Sequence, residues 1–168
     1  MLMGLIAEAC QESMKKNMDE AMRLACAGIM DSHMRVRYAG LSCLGLLLTE
    51  LSPKAQKKYH GELMPVLLKM LKDEPLMKIQ CHVVSTIINF AKGLVEDEEE
   101  EEETVDGKAI MEQYSTMLFE NVVMLLKKSI DENYEPMQEE VMALLSVVAS
   151  LIENQFASFY GSLMPMME

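Results

Sequence analysis

The sequence predicts an all-α chain folded as an α-α superhelix, a stack of antiparallel helix pairs. Three observations carry this reading. Half of the 168 residues are apolar and recur at helical spacing, while strand-type alternation is nearly absent. Aromatics are scarce, with no Trp, five Tyr and four Phe, so packing rests on Leu, Val, Ile, Ala and Met, which suits helix-on-helix layers. One pattern also returns along the chain. Asp31 to Gly45 reads D-S-H-M-R-V-R-Y-A-G-L-S-C-L-G, and weaker copies stand at Asp73 to Asn89 and at Asp131 to Ser150. In each, an acid closes one helix, a short turn follows and a second helix opens. Repetition of a unit that cannot bury its own apolar face implies stacking.

The elements follow in order, in pairs of an A and a B helix. A short helix is expected over about Leu2 to Glu12. The first A helix is expected over about Lys15 to Met30 and its B helix over Met34 to Leu51. Ser52-Pro53 then breaks the chain, with Ser as cap and Pro in the first turn. The second A helix spans about Pro53 to Lys72, with a kink or break expected at Pro65, which removes an intrahelical bond. Asp73-Glu74-Pro75 makes the turn to a B helix over Leu76 to Leu94. A loop over Val95 to Gly107 precedes the third A helix, about Lys108 to Ile130. The last B helix covers about Pro136 to Asn154, and a final helix starts near Phe156.

The repeat has a measurable period. Val36, Ile79 and Met137 hold one slot in successive B helices, 43 and 58 residues apart, and discounting about 13 residues of loop brings the second spacing near 45. Leu63-Met64-Pro65 and Leu163-Met164-Pro165 mark one slot in two A helices, each preceded by Gly-x. A period in the low forties belongs to HEAT/ARM-type solenoids. Residues 1–168 are therefore read as a single solenoid, with repeats at about 15–51, 53–94 and 108–154. Both ends look like half hairpins, the expectation for a fragment of a longer stack. In the B helices, Val36, Gly40, Leu41, Leu44 and Leu48 form one apolar stripe, and Val83, Ile87, Phe90 and Leu94 form the next. Gly40, Gly45, Ala91 and Ala143 are the small residues expected to let backbones approach. A buried Leu or Ile contributes roughly 1.5–3 kcal/mol, so each stripe outweighs any single polar contact once a neighbour covers it.

Net charge is −12, and eight of the negative charges form one run: Glu96, Asp97, Glu98, Glu99, Glu100, Glu101, Glu102 and Glu103. Without these eight, 19 of the 27 acids remain against 15 Lys and Arg, so the body is only mildly acidic. No basic stripe is present to neutralise phosphates, which argues against direct nucleic-acid binding. The longest uncharged apolar run, Ala39 to Thr49, is far short of the roughly 20 residues that cross a bilayer, so no membrane span is expected. The acidic run reads as a solvated spacer or as an electrostatic lure for basic partners.

Catalytic and metal chemistry find no footing. The cysteines at 10, 26, 43 and 81 lie in apolar helical contexts with no C-x-x-C, as buried free thiols do. His33, His60 and His82 fall in different elements, and His82 and Cys81, as helix neighbours, point about 100° apart. G-x-S-x-G, P-loop and G-x-G-x-x-G motifs are missing. The chain is therefore read as a non-enzyme without cofactor or metal. Its 18 methionines read as core filler, with Met117 and Met124, seven apart on one A helix, as candidates for an adaptable groove.

The stretch H-M-R-V-R-Y-A-G-L-S-C-L-G resembles the second helix of a HEAT repeat in the importin-beta (karyopherin-beta) family. K-K-Y-H-G-E-L-M-P-V-L-L, I-Q-C-H-V-V-S-T-I-I-N-F and F-A-S-F-Y-G-S-L-M-P extend the likeness, which is greatest to the central repeats of the beta-three importins. It covers nearly the whole chain except the acidic run. Three features depart from the family pattern. Met34 stands where the family usually has Pro, the helix-opening Arg37 becomes Gln80 and Gln138, and the ladder from that Arg to the turn acids Asp73 and Asp131 should be weaker. The family's own acidic loop joins two helices of one repeat, whereas this run joins separate repeats.

The resemblance implies a nuclear transport receptor in cytoplasm, nucleus and nuclear pore. Its partners would be cargo proteins with basic segments, FG-repeat nucleoporins inserting Phe between A helices on the convex side, and Ran-GTP. The main Ran site would fall mostly outside this stretch. A HEAT scaffold of a phosphatase or chromosome-organising complex is the alternative. In such stacks B helices line the concave face, where this sequence would present Tyr38, Ser42, Thr49, Cys81, His82, Ser85, Asn89, Lys92, Glu139, Glu140, Ala143, Ser146, Ser150 and Asn154. Asn89 can both donate to and accept from a cargo backbone, and Glu139 and Glu140 can pair with cargo Lys or Arg.

Overall fold

The computed structural model describes residues 15–95, 106–157, 159 and 161. Among them, six α-helices follow in order: α1 (Met18–Ile29), α2 (Met34–Glu50), α3 (Lys54–Asp73), α4 (Met77–Val95), α5 (Gly107–Asp131) and α6 (Glu135–Ile152), then a 3-10 turn, Glu153–Phe156. The expected helix over Leu2 to Glu12, Cys10, the Leu163-Met164-Pro165 slot and the acidic run lie outside the described residues. Helix α1 pairs with α2, α3 with α4 and α5 with α6, and α2, α4 and α6 also pack side by side as one layer. Tyr38 meets His82 and Gly45 meets Asn89, so α4 follows α2 at a step of 44 residues with both chains running the same way. Helices α3 and α5 form the other layer, joined where Tyr114 Oη donates to the His60 carbonyl at 3.2 Å.

The apolar seam runs through all three pairs. Leu41, Leu44 and Leu48 of α2, Val83, Ile87, Phe90 and Leu94 of α4, and Met137, Val141, Leu144 and Val148 of α6 are all buried. Two residues of the sequence reading fall outside it. Val36 is 42% exposed, because it sits in the first turn of α2, ahead of the point where α1 crosses. Ala143 is exposed, one residue before the buried Leu144, and brings no backbones together. The close crossing is at Gly40. A Cβ there would lie 2.7 Å from the Gly28 carbonyl carbon and 2.7 Å from the Ile29 nitrogen, so only glycine admits the approach of α1 to α2.

Helix ends have local causes. Asp106 caps α5 by accepting from Lys108 N at 2.9 Å, and His33 Nδ1 accepts from Arg35 N at 3.2 Å to open α2. Ser52 does not cap α3 as expected. Its hydroxyl donates to the Gly93 carbonyl at 3.1 Å and so ties the end of α2 to the end of α4, while Pro53 takes the cap position. Nor does Pro65 break α3, which runs unbroken from Lys54 to Asp73. The acceptor that Pro65 leaves free is the Gly61 carbonyl, and Gly61 and Pro65 are both exposed, so solvent is available to replace the lost bond.

The turn ladder also differs from expectation. Arg37 reaches Glu74, the neighbour of Asp73, with Nε to Oε2 at 2.9 Å and Nη2 to Oε1 at 3.0 Å. In the equivalent slots Gln80 Nε2 donates to the Leu71 carbonyl at 2.7 Å and Gln138 Nε2 to the Ser129 carbonyl at 3.2 Å, each nine residues back. Lys128 Nζ then donates to Gln80 Oε1 at 3.1 Å and provides the second rung between repeats.

Candidate functional site: the B-helix face

Helices α2, α4 and α6 share one register, so a residue on one of them has counterparts 43 or 44 and about 58 positions away. Tyr38, Cys81 and Glu139 are such counterparts, as are Ala39, His82 and Glu140. The structure brings several of the expected residues together at the starts of these helices. The Tyr38 and His82 rings stack with centroids 4.5 Å apart and planes 10° from parallel. His82 Nε2 lies 2.8 Å from Ser42 Oγ. Ser42 gives its own hydrogen to the Tyr38 carbonyl at 3.1 Å, which assigns the shared proton to His82 Nε2. Burial holds the His82 imidazole below its ordinary pKa, against the opposing pull of Glu140. Cys81 Sγ sits 3.5 Å from the Pro136 carbonyl, and burial, aided by Glu140, pushes its thiol up to about 11.

Two turns further along α4, Asn89 Nδ2 reaches the Gly45 carbonyl at 3.4 Å, a long bond that leaves its amide oxygen unengaged. A Cβ on Gly45 would lie 3.1 Å from that nitrogen, so Gly45 makes the room. Thr49 is exposed and bonds back to the Gly45 carbonyl at 3.1 Å. Ser85 is half-buried, and Lys92, Glu139, Ala143, Ser146 and Ser150 are exposed, with Glu140 half-buried. Asn154 falls past the end of α6 in the 3-10 turn, and its side chain lies outside the described residues. The run Glu96 to Glu103 also lies outside them.

The Ser42–His82 contact has the length of a nucleophile–base pair, but its geometry is that of a structural joint. The Ser42 proton is committed to a carbonyl and Tyr38 covers the ring. The Cys81 thiol stays protonated at neutral pH, so it offers no thiolate. Among the described residues no three His, Cys, Asp or Glu side chains are placed to hold a metal, and no helix is long and apolar enough to cross a membrane.

On the opposite layer, a groove of about 530 Å³ lies between α3 and α5, lined by Pro65, Leu68, Lys69, Tyr114, Met117 and Met124 among others. Met117, 55% exposed, and Met124 thus share a groove, while Met22, Met64, Met70, Met77, Met111 and Met137 fill the core. The methionines stand both in the core and along this groove. Sequence reasoning missed a second groove, between the starts of α2 and α4, although its basic residues Arg35 and Lys78 stand one period of 43 apart.

No family model matches the chain. It is 26% identical over 167 residues to importin subunit beta-3 of Saccharomyces cerevisiae, an alignment covering 99% of this chain and 14% of the relative. The solved structure of Kap121p superposes with a TM-score of 0.80 at 26% identity, over 96% of this chain and 14% of Kap121p. Kap121p bound to Pho4p and Kap121p bound to Nup53p match with the same values, and Kap121p bound to RanGTP with a TM-score of 0.78. The chain thus spans 14% of the length of these relatives.

Proposed function

We propose, from the premise that this chain is importin-beta-type HEAT solenoid, that it contributes to the cargo-carrying groove of a nuclear transport receptor. Binding is reversible and non-catalytic, the receptor moves between cytoplasm and nucleus through the pore, and Ran-GTP releases cargo from the longer protein. The observation that carries the reading is the B-helix face. It is supported by three helices packed side by side in one register, on which Tyr38 and Glu139 are exposed and Asn89 half-buried, over a seam already closed beneath them. A basic cargo segment laid across them meets the free oxygen of Asn89 and the carboxylates of Glu139 and Glu140, whose charge-assisted bonds favour Lys and Arg. Tyr38, Ser42 and His82 form a stacked and hydrogen-bonded floor, with Ser85 half-buried on the same helix as His82. The acidic run Glu96 to Glu103 raises the encounter rate with basic cargo.

The groove of Met117 and Met124 takes the aromatic side chain of an FG-type nucleoporin segment, since flexible thioethers conform to an inserted ring. Titration of a fluorescein-labelled Lys-rich peptide into the chain tests the cargo reading. Replacing Asn89, Glu139 and Glu140 by Ala is expected to weaken binding about tenfold with helicity retained, as the loss of two charge-assisted contacts and an amide would give. Unchanged affinity at moderate salt overturns it.

A further inference from the structure

The second groove, between the starts of α2 and α4, has the opposite electrostatic character to the face at Glu139 and Glu140. Its volume is about 530 Å³, and Met34, Tyr38, Leu76 and Met77 form its walls with Arg35 and Lys78 at the rim. Met34 is 49%, Leu76 41% and Tyr38 40% exposed, an apolar concentration that isolated surface side chains do not produce. No acid lines it. Four cations elsewhere in the chain are matched: Arg23 to Glu20, Arg37 to Glu74, Lys58 to Asp19 and Lys108 to Glu153. Arg35 and Lys78 have no carboxylate partner among the described residues, and Lys78 Nζ instead stands 5.7 Å from the centre of the Tyr38 ring. The same slot in the third repeat is Pro136, so this pair of cations belongs to the joint between the first two helix pairs alone.

We propose that this groove docks an extended partner segment in which a bulky apolar side chain is flanked by carboxylates. The apolar side chain enters between Met34 and Leu76, where the unbranched thioether adapts to its shape. One carboxylate meets the planar fork of Arg35 and the other the ammonium of Lys78. In a chain of net charge −12, a bare cationic rim around an apolar slot selects a ligand by complementarity and rejects the basic segments that the Glu139 and Glu140 end accepts.

Fluorescence anisotropy with the full chain tests this, using a fluorescein-labelled decapeptide with one Phe between two pairs of Glu. Saturable binding is expected, weakened about tenfold or more by the R35E/K78E double variant, as two reversed contacts at an exposed site would give. The R35Q/K78Q variant should fall between the two, and a peptide with Phe→Ala or with Gln in place of Glu should bind weakly to the unaltered chain. E139A/E140A should leave this peptide unaffected while weakening the Lys-rich one, which separates the two readings. Equal affinity for the Glu and Gln peptides overturns the proposal, as does binding indifferent to R35E/K78E. If R35E/K78E disturbs helicity, the peptide-side substitutions decide alone. A dimer seen by light scattering and abolished by R35Q/K78Q would assign the groove to a second copy of the chain and also overturn it.

Discussion

Replacing Arg37 by Ala is the sharpest test of what clamps one repeat to the next. Arg37 gives two bonds to Glu74 and two more, through Nη1, to the carbonyls of Asp31 at 3.2 Å and Ser32 at 2.8 Å. The Arg37 and Glu74 side chains are 17% and 5% exposed. Truncation leaves the Glu74 carboxylate buried with only a 3.3 Å contact from Leu76 N. An uncompensated buried charge costs about 3–5 kcal/mol, and the water admitted on the exposed side of Arg37 places the cost at the lower end, about 3 kcal/mol. At roughly 2–4 °C per kcal/mol for a chain of this size, the thermal midpoint should fall by about 6–12 °C. Circular dichroism at 222 nm on heating, with urea melts alongside, measures it. In R37A/E74A no orphan charge remains, so the double variant should lose less than the sum of the singles by about 1–3 kcal/mol. A loss below about 0.5 kcal/mol for R37A, or strict additivity, would show that the pair does not fasten the repeats.

Two further expectations follow from geometry and burial. Gly40→Ala forces a Cβ against the backbone of Gly28 and Ile29 and should cost about 1–3 kcal/mol, whereas Gly61→Ala, which meets nothing within 4 Å, should stabilise by roughly 0.5–1 kcal/mol in a urea melt. If both are neutral, the close crossing of α1 and α2 is not a constraint. The lowered pKa of His82 means that the unfolded chain binds the extra proton more readily, so its contribution to stability is complete above about 6.5 and declines as pH falls through that value. His82→Phe, which keeps a ring beneath Tyr38, should flatten the loss of stability between about pH 7 and 5. An unchanged slope would mean that His82 takes up its proton as readily when folded.

Much of the fold was legible because it is written in apolar spacing. The buried positions from Leu41 to Leu48 and from Val83 to Leu94 follow from periodicity, and the recurring acid-and-turn pattern at Asp31, Asp73 and Asp131 marks where each pair folds back. What failed to read depends on solvent and on neighbours far along the chain. Pro65 looks like a breaker until Gly61, whose carbonyl it frees, is seen to be exposed. Ser52 looks like a cap until Gly93, 41 residues on, takes its hydroxyl. The turn acid at the first rung is Glu74, because burial and reach decide between adjacent acids and sequence shows neither. Among the candidate site residues, helical spacing placed Tyr38, Ser42, His82 and Asn89 on one side, but the stacking of Tyr38 on His82 depends on how closely α2 and α4 approach. The groove at Arg35 and Lys78 escaped because its walls come from residues that each look like ordinary surface.

The common direction of α2, α4 and α6 has an electrical consequence. Each is paired with an antiparallel helix of the other layer, but within their own layer α2, α4 and α6 all begin at one edge and end at the other. Each start carries roughly half a positive elementary charge and each end half a negative one. Close to the surface of this layer the field therefore has a fixed sense from one edge to the other, and a dipolar segment laid along it would differ in energy between its two orientations before a single side chain is consulted.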